Sequence, residues 1–180
     1  LRLMKAGLRK QTIRTLGAAL GAAVVLTNEV VAKCVLLALQ MGNLDDAVLI
    51  LVTYEFLLRA QSEALPLEWG EPSDATSLQE PRHSGVWVSR KVLYVALRVR
   101  KHRPRGSLLQ RRCECGGSGT KQDVCVVCLV LRLAIERADA GRPPRPGSRI
   151  FEHTNNSFLE LMRRLFTLLE VEGAARFTLK

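Results

Sequence analysis

The hydrophobic positions near the N-terminus recur with helical spacing. Thr27 or Asn28 is suited to cap a helix that continues to Gln40. A second helix is predicted to begin within Asn43–Asp45, where acidic side chains favour the positive end of the helix dipole, and to continue to about Arg59. Because this second segment is apolar nearly all round, we expect it to be the central buried helix, with Arg59 at its C-terminal end.

The middle of the chain has the composition of β-strands. Val86–Val88 and Val92–Arg100 are rich in β-branched and aromatic residues. Pro104–Gly106 supplies a hairpin turn, and Ser107–Arg111 returns as the next strand. These segments predict a small antiparallel sheet or hairpin.

Helical spacing resumes in the last third of the chain. A helix with one apolar face is predicted over Asp123–Asp139, and Asn155 or Asn156 opens another. Between them, Gly141–Gly147 contains three prolines and should be an extended connection. The order of helices, hairpin and helices predicts a mostly helical α+β fold, because no alternating βαβ series is present.

Composition narrows the class of protein. A chain of 180 residues with 47% hydrophobic composition can bury one sizeable core. Glu29 and Lys33 interrupt the apolar segment from Leu16 to Leu39, so no stretch reaches the roughly 18 residues of a membrane span. Five cysteines without a signal-peptide pattern favour a reducing, intracellular compartment over a secreted disulfide framework.

Positive charge is concentrated in one segment. Between Pro81 and Cys113 there are ten Lys or Arg residues and no Asp or Glu, in a chain of formal net charge +10. Such a local excess indicates a surface that faces a polyanion, nucleic acid first and anionic membrane second. The simpler interpretation is a solvated basic loop.

One segment carries a resemblance to a known family; it reads Phe56-Leu-Leu-Arg59-Ala-Gln-Ser-Glu63-Ala-Leu-Pro-Leu67-Glu-Trp69. It resembles a motif of the tyrosine recombinases, the phage-integrase type of DNA breaking and rejoining enzyme. The resemblance is in particular to versions carried by eukaryotic mobile elements. In that family an apolar helix ends in an arginine, which is followed by Glu-Leu and a Leu-x-Trp strand entry. Leu97–Ser107 is similar to the hairpin of the family that bears a general-acid lysine. Gly173–Lys180 is similar to the lead-in to its second catalytic block.

The resemblance implies roles for individual residues. Arg59 would hold the scissile phosphate, Lys101 would protonate the departing 5′ oxygen, and Glu63 would orient Arg59 and compensate its charge. The separation of Arg59 and Glu63 is four residues, whereas three is usual in the family, but both offsets return to one face of a helix. The side chains expected to contact the DNA are Arg98, Arg100, His102, Arg103, Arg105 and Arg111.

The resemblance also implies a domain organisation and partners. Residues 1–26 would be a basic arm or interdomain connection, and residues 27–180 the N-terminal part of the catalytic domain. The second arginine and the tyrosine nucleophile would lie beyond Lys180, so this chain alone is expected not to cut DNA, and Tyr54 and Tyr94 to be packing residues. The full-length parent would carry out recombination or integration through a phosphotyrosine intermediate, as a homo-oligomer on double-stranded DNA, in the nucleus if it is eukaryotic.

Four cysteines form a separate motif. Cys113, Cys115, Cys125 and Cys128 follow the pattern C-x-C-x9-C-x2-C, with a Gly-Gly-Ser-Gly turn between the pairs. This arrangement can enclose one structural zinc ion, although Cys125 and Cys128 also have the helical spacing of ordinary core thiols. An alternative to the recombinase is therefore a noncatalytic, zinc-stabilised nucleic-acid-binding or scaffold module. The implied chemistry requires no cofactor.

Overall fold

The structure is a computed structural model that describes residues 26–71, 84–98, 100, 106–116 and 121–178, apart from the side chain of Arg176. The predicted basic arm up to residue 25, most of the predicted loop over residues 70–84, and Lys101, His102, Arg103 and Arg105 lie outside the described residues. The helices are α1 (Asn28–Gln40), α2 (Leu44–Glu55), α3 (Val126–Asp139) and α4 (Asn155–Leu168), with a π-helical turn (Ala60–Ala64) and a 3-10 turn (Ala174–Arg176). The strands are β1 (Glu68–Trp69), β2 (Gly85–Ser89), β3 (Val92–Leu97) and β4 (Ser107–Arg112). The predicted α+β class is confirmed.

The first two helices match their predicted starts. The Thr27 side chain caps α1 by accepting a hydrogen bond of 3.2 Å from the backbone N–H of Val30. Helix α2 packs against both α1 and α3. Its buried residues occupy every side of the helix, which confirms α2 as the central helix of the core: Leu44, Ala47, Val48, Leu49, Ile50, Leu51 and Val52.

Helix α2 ends at Glu55, four residues before the predicted end at Arg59. Leu57 adopts a left-handed conformation with φ 52°. The N–H of Leu57 donates to the carbonyl of Tyr54 and that of Leu58 to the carbonyl of Thr53. This pair of bonds is the Schellman termination of a helix, with a leucine where glycine is usual. The prediction was wrong because the apolar pattern runs on through the turn that ends the helix.

The sheet has the strand order β1-β2-β3-β4. Strands β2, β3 and β4 pair antiparallel, as predicted, whereas the short strand β1 pairs parallel to β2 and makes the sheet mixed. Arg90 and Lys91 connect β2 to β3 with φ values of 49° and 63°, the left-handed pair that a tight hairpin turn requires. The rings of Trp87 and Tyr94 stack across this hairpin with centroids 5.3 Å apart.

The C-terminal helices complete the core. Helix α3 begins at Val126, three residues later than predicted, because Cys125 takes the cap position. Thr154 and Ser157 form a capping box at the start of α4. Phe166 is fully buried in the core, whereas Leu168, at the end of α4, is 56% exposed. The connection over residues 141–147 contains neither helix nor strand, as its prolines predict.

Candidate functional site

Arg59 and Glu63 form one turn of backbone directly after α2. The backbone N–H of Arg59 donates to Glu63 Oε2 at 2.9 Å, so the carboxylate caps the first turn of the π helix. Glu63 is only 4% exposed. The side chain of Arg59 is exposed to solvent. Glu63 therefore fixes the backbone from which the Arg59 guanidinium projects, instead of pairing with that guanidinium.

Arg100 brings the basic segment to the same turn. Its Nε lies 4.0 Å from Glu63 Oε1, and its side chain is 26% exposed. A buried carboxylate needs a cationic partner or hydrogen bonds in place of water. Glu63 has one cationic partner, Arg100, and one hydrogen bond, from the backbone N–H of Arg59. The turn from Arg59 to Ala64, here called the Arg59 turn, therefore meets the basic segment that follows β3 and includes Arg100. The sequence predicted that these two elements act together.

The remaining described cations of the predicted interface have different surroundings. Arg98 is exposed just after β3, and its backbone N–H donates to Ser84 Oγ at 3.1 Å. Arg111 contacts Glu55 twice, with Nε 3.3 Å from Oε2 and Nη2 donating to the backbone carbonyl at 3.1 Å. A cation at this position complements the C-terminal end of the α2 dipole. Arg111 therefore ties β4 to α2.

Both tyrosines of the chain are engaged in contacts within the fold. The Tyr54 hydroxyl donates to Asn28 Oδ1 at 2.5 Å, which links α2 to the start of α1. Tyr94 stacks on Trp87. These contacts fit the packing roles that the sequence predicted for the two residues.

The four cysteines of the C-x-C and C-x-x-C pairs come together between the end of β4 and the start of α3. All four sulfur atoms lie within 4.8 Å of one another. The closest pairs are Cys113 with Cys115 and Cys115 with Cys128, both at 3.3 Å, and Cys113 also lies 3.7 Å from Cys128 and 3.8 Å from Cys125. None of the five cysteines forms a disulfide.

This cluster fits a tetrahedral thiolate site. Zinc-sulfur bonds of about 2.3 Å place the sulfurs of such a site about 3.8 Å apart, close to the separations seen here. Burial, and then contacts with neighbouring thiols, raises the pKa of Cys128, and burial also raises that of Cys125. Without a cation, Cys125 and Cys128 are therefore held as neutral thiols, and a bound divalent ion would displace their protons. The four residues can hold a structural metal ion.

A cleft of about 810 Å³ lies beside the thiols. Its walls combine apolar and charged side chains from α2, β4 and the segment that leads into α3: Glu55, Val92, Gln110, Arg111, Arg112, Glu114, Cys115, Lys121, Val124, Cys125 and Val126. The cleft therefore opens between part of β4 and the helices α2 and α3.

Two polar contacts escaped the sequence analysis. His153 Nε2 lies 2.7 Å from Asp46 Oδ1, and its Nδ1 lies 3.2 Å from Ser157 Oγ. Arg137 contacts Asp45 and donates to the carbonyl of Ile150 at 2.5 Å. The contacts of His153 with Asp46 and of Arg137 with Asp45 join residues 107 and 92 positions apart, so no local pattern indicates them.

The chain has no match among protein-family models, curated proteins or solved structures. In the part of the chain that the structure covers, no helix has the length and apolar character needed to span a membrane. The function is therefore inferred from the residues of the site.

Proposed function

We propose that this chain binds the backbone of duplex DNA through Arg59 and the basic segment that follows β3, as part of a catalytic domain of the tyrosine-recombinase type. The observation that carries the proposal is the position of Glu63, which accepts from the backbone of Arg59 and lies 4.0 Å from the Arg100 guanidinium. One buried carboxylate thereby links both cationic elements, while the Arg59 side chain remains in solvent.

The chemistry of a phosphate diester suits this arrangement. A guanidinium donates two parallel hydrogen bonds to phosphate oxygens and stays charged at every accessible pH. Contacts of this kind hold a duplex in register without reading its sequence. Arg100 supplies such a cation at the turn that carries Arg59, Arg98 lies two residues before it in the chain, and further basic residues follow directly.

The recombinase reaction assigns a role to each residue. Arg59 stabilises the charge that develops on the nonbridging oxygens of the scissile phosphate, and Lys101, the next residue after Arg100, donates a proton to the leaving 5′ oxygen. A tyrosine oxygen forms the new bond to phosphorus. The contacts of Tyr54 and Tyr94 within the fold argue against either of them as that nucleophile.

Zinc is the metal that best suits the thiol cluster in this proposal. Four thiolates with no open position give a closed, structural site rather than a catalytic one. The cluster also supports the second candidate, a noncatalytic, zinc-stabilised module that binds nucleic acid or acts as a scaffold. A nucleic-acid-binding module would share the DNA interface of the first candidate but would lack its chemistry.

The first experiment measures binding of the 180-residue chain to a short labelled duplex by fluorescence anisotropy over a series of salt concentrations. Each phosphate contact contributes about 0.9 to the slope of log Kobs against log salt, so Arg59→Ala and Arg100→Ala should each lower the slope by about that amount. Arg132→Ala is the matched control, because Arg132 is an exposed arginine paired with Glu136 on α3. A wild-type chain without salt-sensitive affinity for duplex contradicts the proposal.

A second experiment separates the two candidates. In the full-length parent, Arg59→Ala should abolish the covalent 3′-phosphotyrosyl adduct with a suicide substrate while leaving most duplex affinity intact. A parent protein that binds duplex normally and forms no adduct even with wild-type Arg59 favours the noncatalytic module.

A further inference from the structure

We propose that the metal site controls the DNA interface by anchoring β4, so that loss of the metal loosens this strand and weakens binding to DNA without unfolding the domain. This inference rests on the proposed DNA-binding function. In this inference, metal binding to the four thiols regulates the affinity of the DNA interface, although the thiols are not part of that interface.

Strand β4 buries little of its own surface. It is the last strand in the sheet order, none of its residues is buried, and Leu108 is 48% exposed. By contrast, Leu93, Val95, Ala96 and Leu97 of β3 are all buried. In β4 the half-buried Leu109 packs against the core, so hydrophobic burial holds β3 in place more firmly than β4.

Outside its pairing with β3 and the packing of Leu109 against the core, β4 has two polar points of attachment among the described residues. One is the exposed contact of Arg111 with Glu55. The other is the thiol cluster, in which Cys113 and Cys115 follow β4 directly and Cys125 and Cys128 belong to the start of α3. Between these points lies the cleft of about 810 Å³. A metal ion would connect the end of β4 to the start of α3 through four strong metal–sulfur bonds. An exposed ion pair, by contrast, contributes at most about 1 kcal/mol.

The rest of the fold does not depend on this attachment. Helix α3 is held in the core by Val126, Val127, Leu129, Val130 and Leu133, all of them buried. The same hydrophobic cluster includes residues of α1, α2, α4 and β3. Removal of the metal should therefore release β4 locally, as a low-stability unit, rather than unfold the whole protein.

Release of β4 affects the basic segment because the two are continuous in sequence. The segment that follows β3 carries Arg98 and Arg100 and leads directly into β4. Cys113 stands at the opposite end of β4, where its backbone N–H donates to the carbonyl of Lys91 at 2.8 Å. Ordering a loosened strand when DNA binds costs conformational entropy, so a metal that orders it beforehand raises affinity.

The experiment compares the zinc-loaded chain, the same chain after removal of zinc by a chelator, and the double variant Cys113→Ser/Cys115→Ser. Hydrogen exchange followed by mass spectrometry should show protection over residues 107–112 falling roughly tenfold or more without zinc, while α2 stays protected. The salt slope for duplex binding should fall by about 2, which corresponds to two lost phosphate contacts. Cys34→Ala is the matched control, since Cys34 is a buried thiol outside the cluster.

The possible results separate the inference from the proposed function. Failure to bind one equivalent of zinc, equal exchange over residues 107–112 with and without zinc, or increased exchange with an unchanged salt slope would each overturn the inference. A zinc-loaded wild-type chain that does not bind duplex overturns the proposed function instead, and the exchange comparison then still tests the anchoring of β4.

Discussion

The backbone N–H of Arg59 donates a hydrogen bond of 2.9 Å to the carboxylate of Glu63, a residue that is only 4% exposed. This bond satisfies a donor at the start of the π-helical turn and leaves the Arg59 guanidinium in solvent. Because the same carboxylate lies near Arg100, Glu63 is a positioning residue for two cations at once.

Glu63→Ala should lower the free energy of unfolding by about 1–3 kcal/mol, because it leaves a backbone donor without its acceptor and Arg100 without its partner. Glu63→Gln should cost less, since an amide oxygen can still accept from Arg59. Urea denaturation measures both values. Glu160→Ala, at an exposed position of α4, is the control and should change stability by less than about 0.5 kcal/mol. Equal losses for Glu63→Ala and Glu63→Gln would show that charge, and not the cap, dominates.

Leu57→Gly should stabilise the protein by about 0.5–1 kcal/mol. Leu57 has φ 52°, a conformation that costs a side-chain-bearing residue about 1–2 kcal/mol and glycine very little, and it is 55% exposed, so little packing is lost. Leu168→Gly is a control of equal exposure, at 56%, in the last turn of α4. Glycine there should destabilise by a similar amount. Destabilisation by both changes would contradict the strain assigned to Leu57.

Thr53→Val should raise the free energy of unfolding by about 1 kcal/mol. Thr53 Oγ1 is buried in α2 and has no hydrogen-bond partner among the described residues, so removing the hydroxyl relieves a desolvation cost without changing the side-chain shape. Thr167→Val serves as the comparison, because its hydroxyl donates to the carbonyl of Arg163 at 2.9 Å. If Thr53→Val proves destabilising in urea denaturation, its hydroxyl has a partner in solution.

Thiol reactivity should distinguish Cys34 from the metal-site cysteines. Cys34 is fully buried and burial raises its pKa to about 11, so a water-soluble alkylating reagent reaches it slowly, whereas the four metal-site cysteines are all partly exposed. Mass spectrometry should detect almost no modification with zinc bound, four modified cysteines after chelation and five after denaturation. The variant Cys34→Ala should give four in denaturant. Rapid modification of Cys34 in the folded chain would contradict its burial.

Short-range patterns accounted for much of the fold. Caps and apolar spacing placed α1, α2 and α4 to within one or two residues at their starts, and the β-branched segments with their intervening turns placed β2, β3 and β4. The end of α2 was misplaced because nothing in Phe56-Leu57 marks a left-handed turn. A glycine at position 57 would have indicated it.

The candidate sites differ in how far sequence could predict them. The thiol cluster was found because its ligands follow a short spacing with known geometry. The pairing of Glu63 with Arg100 was not, because 37 residues separate them and only the packing of the sheet against the Arg59 turn brings them together. Likewise, no pattern near His153 indicates that Asp46 is its partner.

The antiparallel register of β3 and β4 divides the positive charge into two groups. Arg90 and Lys91 lie at the Val92 end of β3, together with Arg112, while Arg98 and Arg100 follow its Leu97 end. Six residues of strand at about 3.3 Å each separate these groups by roughly 17–20 Å. For a duplex aligned with the strand, as the proposed function requires, that spacing is slightly more than half of the ~34 Å helical repeat, so the two groups would meet different sugar-phosphate chains on the same side of the double helix.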